Sequence, residues 1–345
     1  MRGGSRTGGA RITIENLRLF EGYSLAWFAD AAARLTAGRS IHDLNEQLVS
    51  TIISYVASTA KSVDVVPVPY GGKDLRMTIG AAMETLKKRS TRAVALPSAL
   101  SIDFAEYVRT AGGSCTTDTG TTKREVFRAS EEVVALACIG AWLTRAYMRR
   151  GGGEPEEHGY VVVKIPSQLA PLYRRIHRAV LALTRKVITA NLGFFPLLVG
   201  VSAAVALGVA RHAGAVEIIA KNPVTFEYLR LTKSGSGPTA KAVAKGADTI
   251  DVSGLARIVG RSGAAGSIYA LLSKCPQKGY GNYRSFLQTL TSSLAMYHFY
   301  RQPVYIYQAL RLLPSTELQR EGAALHGARW GQLTMRLKNL SRLVA

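Results

Sequence analysis

The arginines of residues 169–188 have the spacing of a surface that could bind phosphate groups. If this segment is helical, its apolar residues share about 80° of arc at about 100° per residue. These residues are Leu172, Ile176, Val180, Leu183 and Val187. The opposite face carries Arg174, Arg178 and Arg185, with Arg175 and Lys186 at its edges and no Asp or Glu in the segment. Such a helix is suited to follow a nucleic-acid backbone, and an ordinary solvated face is the alternative.

A second candidate is the stretch from Val252 to Thr316, which contains no Asp or Glu. Its cations are Arg257, Arg261, Lys274, Lys278, Arg284, Arg301 and Arg311. Its tyrosines are Tyr269, Tyr280, Tyr283, Tyr297, Tyr300, Tyr305 and Tyr307. Cations that meet phosphates, interleaved with rings that stack on bases, suit single-stranded or unwound nucleic acid. Alternatively, the last four tyrosines are core or interface residues at helical spacing.

Within this stretch, the loop of residues 277–284 is the best candidate for direct contact. Its sequence is Gln-Lys-Gly-Tyr-Gly-Asn-Tyr-Arg, and the two glycines permit a close backbone approach. Gln277 and Asn282 are suited to read base edges, and Lys278 and Arg284 to meet phosphates. Tyr280 and Tyr283 supply rings that can stack or wedge.

This sequence matches known enzyme motifs only weakly. Residues 235–240 match G-x-G-x-x-A, but Pro238 favours a turn. Lys73 lacks the Ser or Thr of a P-loop, and Gly22-Tyr-Ser-Leu-Ala26 lies too early in the chain for a nucleophile elbow. Asp248 and Asp251 could hold Mg²⁺ in a nuclease, but no third acidic ligand supports them, so a solvated turn is favoured. We therefore predict no catalytic site, no metal site and no cofactor.

The spacing of the three cysteines indicates the compartment of the protein, and its charge indicates the kind of partner that it attracts. Cys115, Cys138 and Cys275 are widely spaced and form no zinc-ligand pattern, and the N-terminus lacks the apolar core of a signal peptide. Both features suit a reducing compartment, and we expect the cytoplasm. The chain has 44 Lys and Arg against 23 Asp and Glu, a formal charge of +21, with 47% hydrophobic residues. This is a folded, strongly basic protein that should attract phosphate backbones or anionic membrane surfaces.

One apolar stretch leaves a membrane interpretation open. Residues 187–210 form 24 consecutive positions without a charge, flanked by Arg185, Lys186 and Arg211. That length would span a bilayer. However, Asn191, Pro196 and three glycines dilute it, and a helix buried in the protein core is the other interpretation.

The pattern of elements predicts a mixed α/β (α+β) body with a C-terminal helical domain. We expect a flexible basic arm at 1–11, a mixed domain at 12–251 and a helical domain at 252–345. Strands are predicted at 12–20, 63–68, 160–165 and 224–233, with a second strand after a turn at 234–238. Helices are predicted at 22–36, from Ser40, at 75–89, 101–110 and 130–150, and after Leu255, with breaks near Gly263, 275–281, Pro303 and Pro314.

Three segments resemble the large subunit of the archaeal type I-A CRISPR interference (Cascade) complex, in its Aeropyrum-type branch. They are Leu17-Arg-Leu-Phe-Glu-Gly-Tyr-Ser-Leu-Ala-Trp27, Lys221-Asn-Pro-Val-Thr-Phe-Glu-Tyr-Leu-Arg-Leu231 and Tyr305-Ile-Tyr-Gln-Ala-Leu-Arg-Leu-Leu313. The resemblance covers most of the chain, and length and basicity agree with it. It contains no sharp motif, so no single residue of the family can be transferred to this sequence.

The resemblance implies a non-catalytic subunit of an RNA-guided surveillance complex. Such a subunit reads a short motif beside the target DNA, helps to open the duplex and recruits a nuclease-helicase, while base pairing supplies most of the specificity. The implied partners are target DNA, the guide RNA-bound backbone subunits, a small subunit and the nuclease-helicase. A metal-dependent nuclease and a basic protein anchored in a membrane by residues 187–210 remain the alternatives.

Overall fold

A computed structural model of the chain describes ten stretches of residues. They are 11–61, 77–96, 98–100, 102, 128–149, 156–165, 172–189, 195–209, 222–234 and 241–344. Contacts divide the chain into two compact units, Met1–Tyr160 with Leu229–Ala247 and Val161–Tyr228 with Asp248–Ala345. This division differs from the sequence-based boundary at residue 251, because the contacts group Val161–Tyr228 with the C-terminal helices. The mixture of helices and sheets with a helical C-terminal region is as predicted.

The core of the first unit is built around two apolar helices, α1 and α4. The helices of this unit are α1 (Ser24–Ala37), α2 (Glu46–Thr59), α3 (Ile79–Lys87) and α4 (Glu131–Thr144). Helices α1 and α4 pack so closely that a Cβ atom at Gly140 would lie 1.8 Å from the carbonyl oxygen of Phe28. Only glycine fits at that crossing. Phe28 itself is fully buried and packs edge-on against Tyr160.

The element that begins after Ser40 is shorter than the helix predicted from this residue. Ser40 and Asp43 form a capping box around a single 3₁₀ turn, Ile41–Asp43, after which Leu44 is extended. Helix α2 begins only at Glu46, where the Asn45 side chain accepts a 2.9 Å hydrogen bond from the backbone N–H of Leu48. Two successive side-chain caps therefore divide the predicted helix in two.

Two further predicted elements have the predicted type over only part of their length. The predicted strand at 12–20 is strand only at Arg11–Ile12 and becomes a 3₁₀ helix at Leu17–Phe20. Helix α4 ends at Thr144, whose hydroxyl donates to the Gly140 carbonyl, and residues Arg145–Arg149 form a strand. The arginine at position 149 therefore does not lie in a helical last turn. The segments 63–68 and 103–110, most of the turn at 234–238, and residues 1–10 lie outside the described residues.

The strands of the described residues form two sheets. The first has the order β1-β3-β2, from β1 (Arg11–Ile12), β2 (Ala93–Ala95) and β3 (Arg128–Ser130). Strand β3 pairs parallel to β1 and antiparallel to β2. The second has the order β4-β5-β6-β7, from β4 (Arg145–Arg149), β5 (Glu157–Lys164), β6 (Thr225–Ser234) and β7 (Lys241–Asp251). Strands β4 and β5 are antiparallel, with an irregularity between Arg145 and Tyr147.

A charged cluster in the first unit is fully accounted for by its own partners. Glu157 accepts hydrogen bonds from Tyr147, from Arg230 at 2.9 Å and from Lys245 at 3.1 Å. Burial opposes ionisation of Glu157, but these hydrogen bonds outweigh it, so the pKa of the carboxyl lies below its ordinary value. These ion pairs and hydrogen bonds form a structural charged cluster between β4, β5, β6 and β7.

The second unit consists largely of helices around one apolar helix, α6. Its helices are α5 (Tyr173–Thr189), α6 (Phe195–Val209), α7 (Ser253–Arg261), α8 (Ala265–Ser273), α9 (Gly281–Tyr300), α10 (Pro303–Leu310), α11 (Thr316–His326) and α12 (Arg329–Val344). The breaks between the last six confirm those predicted from Gly263, 275–281, Pro303 and Pro314.

In the uncharged stretch at 187–210, residues 187–189 end α5 and residues 195–209 form α6. Helix α6 is the apolar helix of this stretch. It packs against α5, α7, α8 and α9, and its residues from Val199 to Leu207 are buried. Within the stretches that the structure describes, no helix is both long enough and apolar enough to cross a membrane. The interpretation of this stretch as a core helix therefore agrees with the structure.

Candidate nucleic-acid interface

Helix α5 has the two faces that its sequence predicts. Ile176, Val180, Leu183 and Val187 are buried, and Leu172 just before the helix is partly buried. All five cations, Arg174, Arg175, Arg178, Arg185 and Lys186, are exposed. The apolar stripe fixes the helix on α6 and α8, which leaves the guanidinium groups at the surface. We call these five residues the basic face of α5.

The loop of residues 274–280 connects α8 to α9 and is held in an unusual backbone conformation. Gln277, Lys278 and Gly279 are exposed, and Gly279 and Tyr280 have φ angles of +70° and +52°. A left-handed conformation is natural for Gly279 but uncommon for a tyrosine. The backbone thereby reverses direction, and 40% of Tyr280 remains exposed. Lys278 and Tyr280 are thus placed where a ligand could reach them.

Asn282 is exposed, but part of its amide already has a partner inside the protein. Its Nδ2 atom donates a 3.1 Å hydrogen bond to Glu321 Oε1 on α11. The other carboxylate oxygen of Glu321 accepts a 2.7 Å bond from the backbone N–H of Tyr283. Glu321 therefore supplies the negative charge that the first turn of α9 attracts. A bidentate contact from Asn282 to a base edge would have to use Oδ1 and the second N–H of the amide while this bond persists, or else displace it.

Tyr283 does not belong to the surface. It has no exposed area, its hydroxyl donates a 3.0 Å hydrogen bond to the Leu271 carbonyl, and it lies 2.8 Å from Nε2 of His326. The rings of His326 and Trp330 pack around it. A ring without exposed area cannot stack on a base, so we remove Tyr283 from the candidate interface and assign it to the core.

Cys275, in the loop before α9, is a buried thiol whose pKa is affected by cations of both α9 and α5. Burial raises the pKa of Cys275 to about 11, and the positive charges of Arg284 and Lys186 partly oppose that rise. The charges of both cations therefore act on this thiol. Arg284, at the start of α9, is half-buried, whereas Lys186 is exposed at the end of α5. Helix α5 contacts α8, the helix that leads into the loop.

The sequence analysis missed a second basic helix. Helix α12 contains no Asp or Glu, and its cations Arg329, Arg336, Lys338 and Arg342 are all exposed. Trp330, Leu337 and Leu340 are buried on its other face. Helix α8 contacts both α5 and α12. The same signal that identified α5, an apolar stripe opposite a face of cations with no Asp or Glu in the helix, is present in the sequence of α12.

The residues of the weak enzyme motifs have structural roles. Ser24 is buried, and its hydroxyl donates a 2.7 Å hydrogen bond to the Ala99 carbonyl. Asp251 accepts from the backbone N–H of Ser253, and Asp248 from that of Thr249, both at 2.7 Å. The two carboxylates stand three positions apart on one strand, so they project to opposite faces. The described stretches contain no group of three metal-ligating side chains. Lys73 and residues 235–240 lie outside the described residues.

Comparison with known protein families, with curated proteins and with solved structures gives no match to this chain.

Proposed function

We propose that this chain is a non-catalytic nucleic-acid-binding protein that holds the phosphate backbone through the basic face of α5. The observation that carries the proposal is the pairing of an acid-free exposed face with a buried apolar stripe on one helix. Guanidinium groups present forked N–H donors that match phosphate oxygens. Because the helix is anchored by its apolar side, the arginines are held at the surface.

The net charge supports the same function. A charge of +21 on 345 residues produces a positive field that draws a polyanion to the surface before any specific contact forms. Binding by phosphate contacts releases counterions, so the affinity must fall steeply with salt concentration. Lys278 in the loop and the exposed cations of α12 extend the set of candidate phosphate contacts within the same unit.

We further propose, from the resemblance described above, that the protein acts as the large subunit of an RNA-guided antiviral complex in the cytoplasm. In that role the chain recognises a short motif beside the target, stabilises the opened duplex and recruits the nuclease-helicase. The guide RNA-bound backbone subunits and a small subunit are its partners. Neither the backbone contacts nor the base contacts require a metal or a cofactor.

Reconstitution tests the subunit assignment. The full chain is mixed with guide RNA-bound backbone subunits encoded in the same genome, and the mixture is analysed by size-exclusion chromatography with and without target duplex. We expect co-elution and a target-dependent increase in DNA binding. A chain that never co-elutes, although it binds DNA alone, would refute the subunit role and leave the nucleic-acid-binding function standing.

A further inference from the structure

Four large side chains at the junction of α9 and α10 are exposed together. They are Phe299 at 53%, Tyr300 at 58%, Val304 at 50% and Tyr307 at 43% of their full exposure. We name these four residues the ring platform. Phe299 and Tyr300 are the last two residues of α9, whereas Val304 and Tyr307 lie one turn apart on α10. Monomeric proteins seldom leave such a group uncovered without a binding function.

The backbone at this junction holds the rings in place. Arg301 adopts a left-handed conformation with φ of 57° and ends α9, and Pro303 begins α10 two residues later. The chain therefore reverses within two residues and brings the two helices into contact. Tyr305, which is partly buried, packs against Tyr300 with 5.8 Å between ring centroids. Tyr305 thus packs against the ring of Tyr300, while more than half of Tyr300 is exposed to solvent.

The platform lies in a positively charged part of the sequence. Arg301, between Tyr300 and Val304, and Arg311, after Tyr307, are both exposed, and the chain from Val252 to Thr316 contains no Asp or Glu. Asp251, just before that stretch, interacts with His298. The Arg301 guanidinium lies against the backbone of Gly254, where an added Cβ would come within 2.5 Å of its Nη2 atom, so Gly254 leaves room for this cation. Aromatic faces next to cations match a strand that offers both bases and phosphates.

We propose that the ring platform stacks unpaired bases, so that the protein favours single-stranded over double-stranded nucleic acid. This inference rests on the proposed function and specifies its substrate class. In a duplex the base faces are already stacked on one another, whereas a single strand offers them to protein rings. A second copy of this chain is a poor occupant of the platform, because two bodies of charge +21 repel each other.

The test compares two single strands that differ only in their bases. The full chain is titrated with a labelled 20-nucleotide oligo(dT) and with an abasic oligomer of the same length and charge, and fluorescence anisotropy gives both affinities. We expect oligo(dT) to bind at least about tenfold more tightly than the abasic oligomer. Replacing Tyr300 and Tyr307 together by Ala should bring that ratio close to one while leaving the abasic affinity unchanged.

Matched variants separate stacking from other effects. Y300F with Y307F keeps both rings and should keep the ratio, whereas Y300L with Y307L keeps apolar bulk without a flat face and should lose it. Met335→Ala removes an equally exposed apolar side chain on α12 and should leave the ratio unchanged. If the variant with both tyrosines replaced by Ala fails to fold, as judged by circular dichroism, Y300L with Y307L takes its place in the test.

The outcomes distinguish this inference from the function on which it rests. Equal affinities of the unmodified protein for both oligomers would overturn the platform but keep phosphate binding. A ratio that survives Y300L with Y307L would also overturn it and would leave the surface to a protein partner. Failure to bind either oligomer would refute the proposed function itself.

Discussion

The carboxylate of Glu321 accepts a 2.7 Å hydrogen bond from the backbone N–H of Tyr283, which joins α11 to the first turn of α9. The same carboxylate accepts from Asn282 at 3.1 Å. The start of α9, which could otherwise attract a phosphate, is thus already matched by a charge of the protein itself. Phosphate contacts in this region must therefore come from side-chain cations such as Lys278.

We predict that Glu321→Gln destabilises the protein and does not weaken DNA binding. Hydrogen bonds to charged groups contribute about 1.5–3 kcal/mol, so the free energy of unfolding should fall by about 1–2 kcal/mol. Urea denaturation measures this change, with Glu84→Gln as the control, since Glu84 is exposed and pairs only with its own helix through Lys87. A loss of DNA affinity in Glu321→Gln would mean that this carboxylate supports the interface directly.

Removing the side chain of Lys278 and removing that of Asn282 should have different effects on DNA binding. Lys278→Ala should weaken binding similarly for all DNA sequences and reduce the slope of log affinity against log salt by about one. Asn282→Ala should leave base preference intact if the bond from its amide nitrogen to Glu321 persists in the complex and keeps the amide turned toward the protein. Anisotropy titrations with duplexes of several sequences measure both effects. A preference flattened at a cost of about 1–3 kcal/mol on the best sequence alone would instead restore Asn282 as a base-reading residue.

The stability of the second unit should fall in mild acid. Burial, and then the charge of Lys274, lower the pKa of His326 below its ordinary value of 6.5. Between the lowered value and 6.5 the unfolded chain binds more protons than the folded chain, so stability is full above 6.5 and decreases as pH falls. Denaturation midpoints from pH 8 down to about pH 5 should show this decrease. His326→Gln should reduce the pH dependence.

Substitution of Gly140 and of Gly331 by alanine should change the stability of the protein in opposite directions. Gly140→Ala forces a Cβ against the Phe28 carbonyl and should destabilise the first unit by about 2 kcal/mol or more. Gly331→Ala lies in helix α12 with no atom within 4 Å of the new Cβ, and should stabilise the protein by about 0.5–1 kcal/mol. Thermal unfolding of both variants measures the difference. Equal effects would contradict the close crossing of α1 and α4.

Features that depend on one helix were predictable from sequence, and features that depend on distant partners were not. The two faces of α5 follow from residue spacing alone, and the burial of Ile176 and Val180 confirms them. The burial of Tyr283 depends on His326 and Trp330, which lie more than 40 positions away. Likewise, α4 ends early because the following residues pair with β5, a contact that no local pattern encodes.

The central claim is that the basic face of α5 holds phosphates, and the salt dependence of DNA binding tests it most directly. If about six phosphates are contacted, affinity should fall by about three decades between about 50 and 200 mM salt. The protein with Arg174, Arg178 and Arg185 all replaced by Gln should bind more weakly, with a slope shallower by about two to three. The control replaces Arg39, Lys88 and Arg92, which are exposed in the first unit, by Gln and loses the same charge. We predict that only the α5 variant changes the slope, with both variants folded by circular dichroism. Identical slopes for both variants would show that net charge alone attracts DNA and would contradict the assignment to α5.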